Sequence, residues 1–333
     1  MKALVYTGVE SLEFLDFDDP VADSESDEVL IKIESVGICG SDMHAYLGHD
    51  ERRPAPLILG HEGAGVVVGG ADDGRRVTVN PLVTCGSCKY CTSERGNLCP
   101  QRQIISMPPR EGAFAQYLKM PRANLVTVPD NISFDKACLA EPIACGWHAG
   151  RLAERALNTP LRESSALVIG GGAIGVGAAL SLKCQGIASV VVIEPNALRR
   201  EFLLSQGELD VRAPEQLEAS AQFQLAIDCV GYAATRAQAS QQVEPGGVVM
   251  HIGLGNADGG LDIRRMTLQE ITFIGTYTYT PADFKATAAA IFDGSLGKLE
   301  WIEARALQDG AQAFSDIRSG VAASPKIVLK PWS

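Results

Sequence analysis

The stretch SALVIGGGAIGVGAALSLKCQG constrains the fold of this 333-residue chain more than any other. An apolar run ends in Gly170, Gly172 and Gly175, and an apolar helical pattern follows at once. This is G-x-G-x-x-G set between a strand and a helix. The first glycine permits a tight turn, the second lets backbone approach a pyrophosphate, and the third lets the helix pack closely on the strand. The helix start at Ala173 and Ile174 then offers free N–H groups and the positive dipole end to phosphates. The flanking rhythm agrees with that reading. SVVVIE, FQLAIDCVG and GGVVMHIGLG read as strands, with NALRREFLLSQG and YAATRAQASQQV as helices between them. Strand–helix alternation at this spacing predicts a doubly wound parallel sheet over residues 143–278, an α/β unit that binds a dinucleotide.

Glu194 ends the strand after the glycine-rich turn. A carboxylate there accepts the ribose hydroxyls and repels a 2′-phosphate, which favours NAD over NADP. Arg199 and Arg200 follow closely and keep NADP open, although solvated helix charge is their plainer reading. Asp228 and Cys229, at a later strand end, face either the cofactor crevice or the core.

Residues 1 to about 140 have another texture. EVLIKIESVGICG, GAGVVVGG, RRVTVNP and AFAQYLKM alternate apolar and polar residues between Gly and Pro, as short antiparallel strands of a barrel-like unit do. EITFIGTYTYT reads as the strand that closes the parallel sheet. After it, ADFKATAAAIFDG and DGAQAFSDIRSG read as helices and KIVLK as a last strand. Two domains are expected, one of 1–142 with 279–333 and one of 143–278.

Composition narrows the function. The net charge of −11 disfavours nucleic acid and anionic membranes, whose phosphates demand clustered Lys and Arg. MKALVYTGVESLEF lacks the pattern of a signal peptide, and no apolar run reaches the ~18 residues that span a bilayer. A cytoplasmic protein is expected. There, nine cysteines serve as metal ligands or buried thiols more readily than as disulfides.

TCGSCKYCTSERGNLC places Cys85, Cys88, Cys91 and Cys99 at C-x2-C-x2-C-x7-C. Four thiolates so close in sequence can close a tetrahedron around zinc. A redox pair would call for a thioredoxin-like βαβ unit, and a zinc ribbon for a basic face; the chain offers neither. A site filled by four sulfurs has no open position and holds structure without catalysing. A reactive metal would need ligands elsewhere. Cys39, Ser41 and His44 in GICGSDMH, His61 and Glu62 in GHEGAGVV, and Glu141 in AEPIACGWH could leave such a vacancy. The same residues also read as a buried Cys, a core His and surface carboxylates. His49 reads as exposed, His148 as a packed helix residue, and His251 as lying near the cofactor. Cys138, Cys145, Cys184 and Cys229 look like small core hydrophobes.

At these residues the chain resembles the zinc-dependent medium-chain alcohol dehydrogenase superfamily. GICGSDMH, LGHEGAG, GRRV, the four-cysteine lobe, EPIACGWHA, GGGAIG and DCVG occur in the family's order and span nearly the whole chain. Glu62 and the Glu141-Pro142 pair make it most similar to the sorbitol and polyol dehydrogenase branch. The resemblance implies a GroES-like, mainly antiparallel β catalytic domain beside a Rossmann domain, with two Zn2+ per chain. Cys39, His61 and Glu62 would hold the catalytic zinc, with Glu141 as a further or alternating ligand. Cys85, Cys88, Cys91 and Cys99 would hold the structural one. Ser41 and His44 would relay a proton while hydride passes from a secondary alcohol to NAD. A homodimer or homotetramer is implied, paired through EITFIGTYTYT. The chain departs from the branch where Ala45 follows His44, in place of Tyr, and where Thr278 stands in place of Arg before Tyr279. Those departures leave other sugar alcohols, sugar acids, sugar-alcohol phosphates, non-polyol alcohols and threonine-like 3-hydroxy amino acids as substrates to consider. A non-enzymatic NAD- and zinc-binding protein would be expected to lack Cys39 or His61, and both are present.

Overall fold

The alternation in EVLIKIESVG has a direct structural consequence: Val29, Ile31 and Ile33 are buried, while Leu30, Lys32 and Glu34 are half-buried on the opposite face. The computed structural model describes residues 1–21 and 27–333. In it, Glu28–Gly37 is the spine of a seven-stranded, mainly antiparallel sheet. One edge of the spine pairs with Glu62–Val68. The other pairs first with Tyr117–Pro121 and then with Lys326–Lys330. The register puts Gly37 opposite both Glu62 and Val328. A Cβ at Gly37 would lie 1.9 Å from Glu62 Oε2, so only glycine leaves room for that carboxylate. Leu4, Ile31, Ile33, Phe114, Phe314 and Leu329 fill the core on this side.

The parallel sheet has six strands. In spatial order they are Asp210–Arg212, Ser189–Ile193, Ser165–Ile169, Phe223–Asp228, Val243–His251 and Thr272–Gly275. Every neighbouring pair is parallel. The chain winds outward from Ser165–Ile169 and returns to Phe223–Asp228 beside it. In such sheets a ligand binds at the carboxyl ends of the strands where the winding reverses. The glycine-rich turn after Ile169 lies at that point.

Two elements differ from their sequence reading. EITFIGTYTYT forms a strand only over Thr272–Gly275. The chain then leaves the sheet, and Thr278 takes the left-handed conformation at φ +47°. In AFAQYLKM the strand begins at Tyr117, because Phe114 instead bonds the loop at Leu59.

The helix Ala140–Ala156 joins the two regions. Its first turn carries Glu141. Its later turns pack against Ala173–Cys184, where a Cβ at Gly146 would lie 2.4 Å from Ala178 Cα. The core beneath the parallel sheet includes Val168, Leu225 and Val248 and extends to Ile143, Tyr279, Phe284 and Trp301. Among the described residues, no helix is long and apolar enough to cross a membrane.

Candidate active site

The strand Glu28–Gly37 ends two residues before Cys39, which caps the short helix Gly40–Tyr46. Asp42, in the first turn and fully buried, accepts from the Cys39 N–H at 3.0 Å and from the Gly60 N–H at 3.2 Å. It thereby ties the loop bearing His61 to the loop bearing Cys39. Asp42 Oδ1 also lies 3.4 Å from His61 Nδ1, and Ser106 Oγ is at the same distance from that nitrogen. Burial opposes a charge on His61, but Asp42 and Cys39 outweigh it and raise its pKa well above the ordinary value. Cys39 Sγ, a His61 ring nitrogen and a Glu62 carboxylate oxygen lie within 4.8 Å of one another.

Glu62 has no exposed surface. Its Oε1 accepts from Lys326 Nζ at 2.6 Å, and Lys326 also donates to the Ile38 carbonyl at 2.7 Å. Glu62 Oε2 is buried without a partner. An orphaned carboxylate oxygen beside a thiol and an imidazole is the donor set a zinc ion takes, with a position to spare. Glu141 stands outside that set of three. Its Oε1 accepts from the Tyr279 hydroxyl at 2.7 Å, and the Tyr279 side chain is wholly buried. Burial and Glu62 push Glu141 up to about 7, against the pull of His61 and Tyr279.

Ser41 Oγ lies 3.4 Å from His61 Nε2. His44 sits at the end of the same short helix, half-buried, its pKa lowered chiefly by burial. Its ring centre is 6.3 Å from that of exposed His49. His148 is packed, as its helical position suggests, but also paired: Nδ1 is 2.7 Å from Asp283 Oδ2, and Arg151 donates to both oxygens of Asp283.

The four lobe cysteines converge without forming a disulfide. Sulfur separations are 3.9 Å for Cys85–Cys91, 3.5 Å for Cys88–Cys91 and 3.6 Å for Cys99–Cys85. A tetrahedron with Zn–S bonds of about 2.3 Å has edges of about 3.8 Å, so the cluster fits that ion.

A cavity of about 430 Å³ runs between the two regions. Cys39, Glu62 and Lys326 line one end; Gly170, Gly172, Ala173, Ile174, Gly175, Glu194 and Arg199 line the other. Gly170 has φ +101°, and a Cβ at Gly175 would meet the Gly170 carbonyl at 1.7 Å. At Gly172 a Cβ would touch nothing, leaving backbone open to a ligand. Glu194 is buried and accepts from the Gly171 and Asn196 N–H groups at 2.9 and 2.7 Å. Arg199 Nη1 is 4.0 Å from Glu194, and its Nε lacks a partner. Arg200 instead donates to the carbonyls of Glu194 and Pro195. Cys229 lines the cavity. Asp228 does not: it accepts from the Val230 and Gly231 N–H groups and from Thr235. His251 faces a separate surface recess with Leu254, Ile263 and Phe273.

Sequence reasoning missed Asp42 and Lys326. Asp42 has a local signal, since a carboxylate three residues after a helix cap reaches back to the cap N–H. Lys326 has none, because nothing near it in sequence announces a partner in Glu62.

Residues 25–130 match the family described as the alcohol dehydrogenase GroES-like domain, and residues 173–293 match the zinc-binding dehydrogenase family. Sorbitol dehydrogenase of Bacillus subtilis is 34% identical over 297 residues, 82% of each chain. L-galactonate-5-dehydrogenase of Escherichia coli is 34% identical over 284 residues, 81% of each. The crystal structure of an Escherichia coli oxidoreductase/dehydrogenase of unknown specificity superposes with a TM-score of 0.88 at 26% identity. That match covers 99% of this chain and 98% of the other.

Proposed function

The chain belongs to the zinc-dependent medium-chain alcohol dehydrogenase superfamily, and on that premise we propose that it oxidises a secondary alcohol of a sugar alcohol or related sugar derivative, with NAD as hydride acceptor. The observation that carries this reading is one cavity with two unlike ends. Cys39 and Glu62, which converge with His61, line one end, and the glycine-rich turn and Glu194 line the other. Cys39, His61 and Glu62 would hold the catalytic zinc, with Glu141 as a further or alternating ligand, and Cys85, Cys88, Cys91 and Cys99 the structural zinc. When bound, zinc supplies a Lewis acid for the alcohol oxygen and NAD the acceptor for hydride.

The remaining work falls to the chain. Asp42, 3.4 Å from His61 Nδ1, orients the imidazole so that its other nitrogen would face the metal. Lys326 neutralises one oxygen of Glu62 and leaves the other free. Ser41, beside His61, would take the substrate hydroxyl proton, and half-buried His44 would pass it to solvent. Gly170, Gly172 and Gly175 let backbone and the helix start at Ala173 and Ile174 approach the pyrophosphate. Glu194, bound by two backbone N–H groups, is fixed where a ribose would meet it. Arg199 beside it leaves some capacity for NADP. Residues 1–142 with 279–333 would act as the catalytic domain and 143–278 as the nucleotide domain.

The edge strand Thr272–Gly275 supports a homodimer or homotetramer. Leu254, Ile263, Leu268 and Phe273 leave apolar surface exposed around it. Nine free cysteines fit a reducing, cytoplasmic setting.

The test is metal analysis of the purified protein together with a panel of sugar alcohols, sugar acids and threonine, read as NADH formed from NAD. Two zinc per chain and turnover of a sugar alcohol or its derivative are expected. A single zinc, or turnover confined to threonine, would refute the reading.

A further inference from the structure

The four-cysteine lobe is not an isolated appendage. Its last turn, Gly96–Leu98, ends at Cys99 and rests against the segment that leaves the parallel sheet. Buried Asn97 donates from Nδ2 to the Tyr277 carbonyl at 2.8 Å. Arg102 donates to the Cys99 carbonyl at 3.0 Å and lays its guanidinium over the Tyr277 ring at 4.8 Å. A Cβ on Gly96 would come within 3.7 Å of Pro281. Between these anchors, Thr278 holds φ +47°, a conformation that a β-branched residue keeps only under outside constraint. The next residue, Tyr279, donates to Glu141.

We propose that Asn97 is a positioning residue for the dehydrogenase reaction: by holding the Tyr277 carbonyl, the lobe fixes the Thr278 turn that delivers the Tyr279 hydroxyl to Glu141. The proposal rests on the functional reading above, which places Glu141 beside the catalytic metal. It gives the lobe a role in the geometry of the substrate side as well as in stability. The lobe bonds Tyr277 and Glu141 bonds Tyr279, so the connection runs through two residues of backbone. Tyr277 supplies its carbonyl, Thr278 the turn and Tyr279 the hydroxyl.

The experiment uses the zinc-loaded enzyme with Asn97→Ala and Asn97→Asp, the second keeping the side chain's size without its N–H donor. Hydrogen exchange should speed up in residues 275–282 and stay unchanged in residues 165–176. With NAD and the fastest alcohol of the panel, kcat/KM should fall about ten-fold in both variants, the size of one lost positioning hydrogen bond. NADH affinity and the count of two zinc should hold. Unchanged exchange in 275–282 overturns the proposal, and so does a fall in kcat/KM that tracks loss of lobe zinc. If the unsubstituted enzyme turns over no alcohol, the functional reading fails, and the exchange result still decides whether Asn97 positions the segment.

Discussion

At the scale of single residues, charge balance around Cys39 and Glu62, the proposed metal ligands, depends on Lys326. The ammonium is almost fully buried and faces Glu62, and burial alone would lower its pKa. Glu62 and Cys39 outweigh that and raise it. In the metal-free protein Lys326→Met should therefore cost about 3–5 kcal/mol in urea denaturation, because it leaves the buried Glu62 carboxyl without its ammonium partner. A loss below about 1 kcal/mol would mean that the Lys326–Glu62 pair does not contribute to the stability of the fold. Cys39→Ser removes one of three donors. It should abolish turnover and lower the metal content from two zinc to one, with NADH binding intact. Near-native turnover in that variant would remove Cys39 from the metal centre. Cys39, His61 and Glu62 could be suspected from residue type, but only the family resemblance brought them to one metal; no local pattern did. Their convergence depends on the register that sets Glu62 opposite Gly37.

At the scale of elements, the helices Ala140–Ala156 and Pro281–Phe292 are clamped by Asp283, His148 and Arg151. The Asp283 side chain is 3% exposed. Burial would raise its pKa, but hydrogen bonds from His148, Arg151 and Thr280 hold it well below the usual carboxylate range. A depressed carboxylate stabilises the fold above its unfolded pKa of about 4 and loses that contribution as pH falls below it. Thermal melts from pH 7 to pH 3 should show this acid limb, and Asp283→Asn should flatten it while lowering stability at pH 7 by about 3–5 kcal/mol. An unchanged limb would place the acid sensitivity elsewhere. The strand–helix alternation behind the parallel sheet was readable because buried strands and amphipathic helices impose different periods. The short extent of Thr272–Gly275 was not. TFIGTYTYT has strand propensity throughout, yet the strand stops at Gly275 and the Tyr277 carbonyl accepts from Asn97, distant in sequence.

At the scale of the whole molecule, the lobe links stability to the site. Cys88→Ser should lower the melting temperature by several degrees and the metal content from two zinc to one. The surviving folded protein should show faster exchange in residues 275–282, since Asn97 and Cys99 share one turn. A variant that loses the lobe metal with that segment unchanged would make the lobe purely a clip. The sequence by itself determined the donor types, the spacing of the four lobe cysteines and the dinucleotide turn, because each is encoded within a few adjacent residues and read from local geometry. Only the tertiary structure decided that Lys326 neutralises Glu62, that Asp42 joins the Cys39 and His61 loops, and that Tyr279 reaches Glu141. Asp42 reaches the Cys39 N–H locally but Gly60 only through the fold, and the other two contacts close across long stretches of chain, their partners chosen by sheet register and packing, which no local pattern records.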